Sequence, residues 1–181
     1  KDSMEVEGPG GERLAMVNRI GRAAGETLNL DDLMEQVYHE VDAIFRPDAF
    51  FIALYDDLHE QLDFCISIDQ GVRSPPERRP LGGFSSIVVA EKKPLFIRDY
   101  DRERDRLPAP VVVGASTKIY PAWLGVPMLM GEQVVGIISV MANRPYTYDE
   151  EDELLLFTIA DQVAVALQNI RLFEEARIRA E

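Results

Sequence analysis

The chain has 181 residues, 46% of them apolar and 28% charged, and a formal net charge of −13. This length and composition predict one globular domain, and exclude a chain that is disordered throughout. The negative charge argues against nucleic-acid partners and anionic membrane surfaces, and a single cysteine excludes internal disulfides and cysteine-rich zinc sites.

The amino-terminal part predicts a polar lead-in followed by two helices. Residues 1–11 are polar and glycine-rich, and we expect them to be disordered. Residues 12–28 repeat apolar side chains at spacings of three and four, which predicts a connector helix. A second helix is expected from Leu30 to Phe45, because Asn29 is a favourable N-cap and a broad apolar stripe follows it.

The middle of the chain predicts strands and a short helix. Residues 49–55 are apolar on both faces, as in a central strand. Residues 72–83 are rich in proline and glycine and predict a loop, residues 84–91 a short helix, and residues 95–98 a short strand.

The strand predicted over residues 61–68 alternates apolar and polar side chains, as on a sheet with one wetter face. One face is expected to carry Leu62, Phe64, Ile66 and Ile68. The other is expected to carry Asp63, Cys65, Ser67 and Asp69.

A hairpin and a long helix complete the chain. Residues 122–130 and 133–141 predict two strands joined by Gly131-Glu132, a pair suited to a type II′ turn. Thr147 and Glu150 have the spacing of a capping box at the start of the helix. Its length to residue 180 would be about 48 Å, more than the width of a small domain.

Apolar residues along this last helix alternate spacings of three and four, which is typical of a coiled-coil seam. We therefore expect the part beyond Asn169 to project and to need a partner helix. The alternative is that the whole helix packs on its own sheet. The seam consists of Leu156, Ile159, Val163, Ala166, Ile170 and Phe173, with Ile178 beyond it.

With these elements in order, the chain resembles a GAF domain, the small-molecule sensing module of bacterial signalling proteins. The resemblance covers residues 30–172 and is most specific in the second half. Residues 123–140 (WLGVPMLMGEQVVGIISV) resemble the last hairpin of the family, with Pro127 and Gly136 in their expected places. Residues 152–172 resemble its closing helix, whose signature is Asn169, Arg171 and Leu172.

The resemblance implies an α+β fold with a central antiparallel sheet of five to six strands. The first and last helices would cover one face, and the short helix and loops would cover a ligand pocket on the other. It divides the chain into a lead-in (1–11), a connector helix (12–28), the GAF domain (29–172) and the start of a signalling helix or coiled coil (173–181). It also implies a homodimer joined through the terminal helices and an effector beyond them, such as the histidine kinase of a two-component system or a cyclic-dinucleotide enzyme.

The resemblance also directs attention to residues around the expected pocket. Backbone amides at the glycine-rich start of the short helix could hold an anion, although a serine cap explains that segment more simply. Trp123 could stack on a planar ligand or fill the core. The expected ligand-binding residues are Phe64, Gly83, Phe84, Ser85, Ser86, Asp99, Tyr100, Tyr120 and Trp123. The expected dimer contacts are Leu14, Val17, Ala24, Val163, Ile170 and Phe173.

Few residues suggest catalysis or a bound cofactor. Reductases of free methionine sulfoxide with this fold use several cysteines, and bilin-binding relatives attach the chromophore to a cysteine in a helix or loop. Cys65, alone and on a predicted strand, fits neither. His39 and His59 have no metal-ligating neighbour at a useful spacing, and the cyclic-nucleotide motif is matched only loosely around residues 143–151.

We therefore expect a cytoplasmic, non-catalytic sensory domain that binds a small molecule of unknown identity, with no metal, nucleic-acid or membrane contact. No uninterrupted apolar run is long enough to span a bilayer. Two alternatives stay open, a ligand-free dimerisation spacer and a sensor that carries haem or flavin.

Overall fold

The computed structural model describes residues 29–111 and 118–180. The predictions made for residues 1–28, including the connector helix and the dimer contacts Leu14, Val17 and Ala24, lie outside the described residues.

The described residues form four α-helices, one 3-10 turn and seven strands. Helix α1 spans Leu30–Phe45, and Asn29 caps it by accepting a hydrogen bond from the Asp31 amide at 2.8 Å, as predicted. The elements that follow are β1 (Ala49–Asp56), β2 (Gln61–Asp69), β3 (Val72–Ser74), β4 (Glu77–Pro80), α2 (Gly83–Glu91), β5 (Leu95–Ile97), α3 (Tyr100–Glu103) with a 3-10 turn (Arg104–Arg106), β6 (Ala122–Met130), β7 (Gln133–Ala142) and α4 (Glu150–Ala180).

One antiparallel sheet joins the strands in the order β3-β2-β1-β7-β6-β5, and β4 also pairs with β2. This confirms the predicted antiparallel sheet and its α+β class. Residues 72–83 differ from the prediction of a loop, because they include β3 and β4 on the outer edge of β2. Pro75 and Pro76 fall between these two strands, and an edge position tolerates the missing donors of proline.

The sheet separates two apolar layers. Helices α1 and α4 pack on one face, where Leu33, Ile52 and Leu156 share a core. Helix α2 packs on the other face, where Phe84 and Val88 meet Phe51 of the sheet. The predicted arrangement, with long helices on one side and the short helix on the other, is confirmed.

The cap of helix α4 is Asp149, two residues after the predicted cap at Thr147. The Asp149 carboxylate accepts from the Asp152 amide at 2.9 Å, and the Asp152 carboxylate accepts from the Asp149 amide at 3.0 Å. This reciprocal pair is a capping box built from two aspartates. Thr147 instead donates its hydroxyl proton to the Arg144 carbonyl at 2.6 Å, so it closes the preceding turn.

Most residues of the predicted seam of α4 are buried within this chain. From Leu156 to Ile170 its apolar residues are buried against the sheet and α1, and Ile170 is only 3% exposed. The prediction of Val163 and Ile170 as dimer contacts is therefore wrong, because their side chains are already covered by their own fold. Phe173 and Ile178 are 48% and 67% exposed, in agreement with the projection of the distal helix.

By length and composition, α4 is the one helix among the described residues that could cross a membrane. Core helices of soluble proteins meet the same criterion. Part of the apolar stretch of α4 is buried against the sheet, and this packing accounts for its composition.

Candidate functional site

A cavity of about 70 Å³ lies between the sheet and the segments on either side of residues 112–117. Its floor is formed by β1, β2, β6 and β7, and α2 closes one side. The residues that line it include Ala49, Phe51, Ser67, Asp69, Phe84, Val111, Lys118, Tyr120, Trp123 and Met141.

Strand register aligns one row of side chains across the floor. Phe51 of β1 pairs with Ser67 of β2 on one side and with Ser139 of β7 on the other. Ser139 in turn pairs with Gly125 of β6. The row therefore places an aromatic ring between two hydroxyl groups, one strand spacing of about 4.8 Å away on each side.

A second row of side chains lies on the same face of the sheet, two residues away along each strand. Ala49 of β1 pairs with Asp69 of β2 and with Met141 of β7, which pairs with Trp123 of β6. Ala49 has the shortest side chain of this row. All four residues of the row line the cavity, and Met141 lies between Ala49 and Trp123.

A β-bulge in β2 puts Ser67 and Asp69 in this site. Ile52 pairs with Ile66 but Ala53 pairs with Phe64, so Cys65 is an extra residue without a cross-strand partner. The extra residue reverses the alternation after Phe64. The prediction that four apolar residues of β2 share a face is wrong for this reason: Leu62 and Phe64 face the cavity layer, whereas Ile66 and Ile68 pack toward the helices.

Three aromatic rings form the apolar wall of the cavity. The ring of Phe84 meets Trp123 edge-on at 5.3 Å between centroids, and Phe51 lies 6.4 Å from Trp123. The indole lies directly over Gly125, where an added Cβ would be 2.3 Å from the ring. Glycine at residue 125 therefore allows the tryptophan to lie flat against its own strand.

The polar groups of the cavity are few. Tyr120 donates its hydroxyl proton to the Asp69 carboxylate, and Lys118 donates to the side-chain carbonyl of Asn143. The hydroxyls of Ser67 and Ser139 have no hydrogen-bond partner among the described residues. Unpartnered buried hydroxyls are uncommon in folded proteins, and sequence alternation had assigned Ser67 to a solvated face.

The structure brings only part of the predicted site together. Phe84, Tyr120 and Trp123 line the main cavity. Phe64 and Ser85 line a smaller neighbouring cavity of about 30 Å³, which shares Phe84 and Trp123 with the first.

The other predicted residues have different environments. Tyr100 packs on Phe84 at 5.9 Å without lining the cavity. The Asp99 amide donates to Glu103, and the Ser86 hydroxyl donates to the Gly83 carbonyl at 2.6 Å. Gly83 lies against Val111, whose amide nitrogen would be 2.8 Å from an added Cβ, so the chain itself covers the start of α2.

Cys65 does not face the cavity. It packs against the core shared by α1 and α4, where burial raises the pKa of its thiol to about 11. A thiol protonated at neutral pH is a weak nucleophile. Within residues 29–111 and 118–180, no group of three His, Cys, Asp or Glu side chains is arranged to hold a metal ion.

The Tyr120–Asp69 hydrogen bond predicts a specific loss of stability at high pH. Burial, followed by the hydrogen bond to Asp69, raises the pKa of Tyr120 to about 12, whereas an unfolded tyrosine loses its proton near pH 10. The folded chain therefore holds more protons between these values, and its free energy of unfolding should fall as pH rises through this interval.

The measurement is urea unfolding at several pH values between 9 and 12, for the wild type and Tyr120→Phe. Burial also raises the pKa of Tyr148, so the wild type has more than one contribution, and the variant should lose less stability than the wild type. Tyr146→Phe is the matched control, because that side chain is exposed. An equal pH dependence in Tyr120→Phe and the wild type would contradict the assignment.

Comparison with known proteins identifies the fold. The sequence model of the GAF domain matches residues 27–168. The GAF domain of a phosphoenolpyruvate-protein phosphotransferase from Coxiella burnetii superimposes with a TM-score of 0.74 at 18% identity, over 93% of this chain and 99% of that one.

Two further solved structures are similar at low identity. Free methionine-R-sulfoxide reductase from Neisseria meningitidis, in complex with its substrate, has a TM-score of 0.73 at 15% identity, over 95% of this chain and 98% of that one. The chromophore-binding domain of a bacteriophytochrome from R. palustris has a TM-score of 0.69 at 15% identity, over 96% of this chain and 65% of that one. At these identities the similarity shows a shared fold.

Proposed function

The chain belongs to the GAF domain family, and we propose that it is a regulatory sensory domain that binds a small molecule in the cavity lined by Ala49, Tyr120 and Trp123. GAF domains are sensory and regulatory modules of signalling proteins. The aromatic wall, the small number of polar groups and the partly enclosed position are typical of small-molecule sites.

This proposal rests on strand β6, whose side chains point alternately toward the cavity and toward helix α4. Trp123 faces the cavity, whereas its neighbours Ala122 and Leu124 belong to the core formed with α4. A ligand that moves the indole therefore moves a strand whose opposite face supports α4. Such coupling requires that the ligand bind one arrangement of this strand and helix more tightly than another.

The output would be a change in how α4 pairs with a second copy. Leu154, Val165 and Leu172 are exposed and, at spacings of eleven and seven residues, lie on one side of the helix. Phe173 adds an exposed ring beside them. We propose a cytoplasmic homodimer that uses this exposed stripe in place of Val163 and Ile170, and an effector following α4, such as a kinase or a cyclic-dinucleotide enzyme.

The role is proposed as regulatory rather than catalytic. The single thiol faces away from the cavity and has a raised pKa. The carboxylate that lines the cavity, Asp69, accepts a hydrogen bond from Tyr120. Turnover of a bound compound that is abolished by one substitution in the cavity would overturn this part of the proposal.

Native mass spectrometry of the protein purified from its own host tests ligand binding directly. We expect a mass above that of the free chain, and slower amide exchange in α4 when the same compound is added back. Ala49→Leu should abolish the adduct because it adds a larger side chain to the lining of a small cavity. Ala90→Leu, on the exposed side of α2, is the matched control and should retain the adduct.

The small cavity volume favours the spacer as the second candidate. About 70 Å³ is well below the roughly 300 Å³ at which typical ligand pockets begin. Absence of any adduct, together with no change in Tm on addition of host extract, would establish the spacer and overturn sensing. Visible absorbance of the purified protein would instead indicate a haem or flavin sensor.

A further inference from the structure

The hydroxyl of Ser67 is a buried polar group that faces the cavity without a partner. Its residue is only 8% exposed, it lines the cavity, and no described residue bonds to its oxygen. Buried hydroxyls in folded proteins are nearly always hydrogen-bonded. Among the described residues, the buried hydroxyls of Ser139 and Tyr148 also lack a partner, but neither residue lines the cavity. Ser67 is thus the one positioned to meet a ligand.

The charged groups of the cavity do not favour a charged ligand. Asp69 and Lys118 both line it, so their formal charges cancel. Each is also engaged within the protein, Asp69 with Tyr120 and Lys118 with Asn143. An anion would meet the carboxylate and a cation would meet the ammonium group, whereas an uncharged molecule would disturb neither.

Size and wall chemistry narrow the class further. Phe51, Phe84 and Trp123 surround the space with aromatic surface, which favours a ring. The volume of about 70 Å³ is smaller than the roughly 150 Å³ of an engineered apolar cavity that holds benzene. One ring is therefore the largest body that modest movement of the surrounding side chains could admit.

We propose that the cavity selects an uncharged single-ring molecule with one hydroxyl or similar hydrogen-bonding group, which pairs with the hydroxyl of Ser67. A serine hydroxyl can both donate and accept a hydrogen bond, so it can pair with either a donor or an acceptor on the ligand. This inference rests on the proposed function, because it assigns the ligand class of the same cavity.

Phenol and toluene are suitable probes because they have nearly the same shape and differ in a hydroxyl against a methyl group. Trp123 is the single tryptophan of the chain, so its emission reports directly on the cavity wall. In the wild type, phenol should bind at least about tenfold more tightly than toluene, the effect of roughly one net hydrogen bond.

Ser67→Ala should remove this preference by weakening the binding of phenol, while toluene binds as tightly as before or more tightly. Retained toluene binding also shows that the variant is folded and that its cavity is intact. Ser139→Ala is the matched control, since it removes the unpartnered hydroxyl on the other side of Phe51, and it should keep the preference for phenol. Benzoate and benzylammonium should bind at least about tenfold more weakly than phenol.

Equal affinities of phenol and toluene in the wild type, a preference that survives Ser67→Ala, or tighter binding of benzoate would each overturn the inference. Failure of every ring compound to change Trp123 emission would also overturn it. In that case the mass measurement on protein from its own host decides the proposed function separately. A different adduct there leaves sensing in place, and no adduct removes both.

Discussion

Ile170→Asp should lower the free energy of unfolding by about 4 kcal/mol or more, because it removes a buried aliphatic side chain and leaves a carboxylate in its place. Ile170 is 3% exposed in the core shared by α1, α4 and the sheet. Since whole domains are stable by only about 5–15 kcal/mol, this loss removes a large share of the stability, and the variant should unfold at a clearly lower urea concentration. Urea unfolding followed by circular dichroism measures the loss.

Leu172→Asp is the matched control on the same helix. Leu172 is 55% exposed, so the same kind of change should alter stability by no more than about 0.5 kcal/mol. If the exposed stripe of α4 pairs two copies, light scattering should show the mass of Leu172→Asp falling while helix content is kept. A folded Ile170→Asp variant with half the wild-type mass would return Ile170 to the dimer interface and contradict its burial.

Gly125→Ala should displace the indole of Trp123 and cost about 2 kcal/mol of stability, the usual range for adding a methyl group where none fits. The new Cβ would lie 2.3 Å from Cη2 and 2.5 Å from Cζ3 of that ring. A rigid ring system cannot bend away from such contacts, so it must swing into the cavity or push the strand aside. Unfolding measurements and Trp123 emission should both change, and binding in the cavity should weaken.

The control for this prediction is a double-mutant cycle with Trp123→Phe. Phenylalanine lacks the ring atoms that Gly125→Ala would contact, so the same substitution should cost clearly less in that background. Equal costs in the two backgrounds would show that the loss comes from the backbone at residue 125. The proposed role of this glycine in seating the indole would then be wrong.

Sequence patterns sufficed where one periodicity ran without interruption. Helix α1 has a clear cap at Asn29 and a continuous stripe, and the hairpin of β6 and β7 has a turn at Gly131 with positive φ. The patterns failed where two structures share one periodicity. The three-and-four spacing of α4 describes both a coiled-coil seam and a helix lying on a sheet, and burial of Val163 and Ile170 selects the second.

Only part of the candidate site could be predicted from the sequence, for a similar reason. Phe84, Tyr120 and Trp123 were named because the resemblance pointed to their segments, and they do line the cavity. Ser67 was missed because the alternation of residues 61–68 is unbroken in the sequence, while the bulge at Cys65 breaks it in the fold. The bulge depends on how β2 pairs with β1, so the local sequence pattern of β2 does not predict it.

The bulge in β2 means that strand pairing, as well as side-chain identity, sets what a ligand would meet. Loss of Cys65 alone would remove the bulge but keep Ile66 opposite Ile52 and Ser67 opposite Phe51, so Ser67 and Asp69 would still face the cavity. If Cys65 were instead kept and paired with β1 as part of a regular strand, the residues after it would change faces, and Ile66 and Ile68 would replace Ser67 and Asp69 at the cavity. The polar floor would then become aliphatic with no substitution at any lining residue.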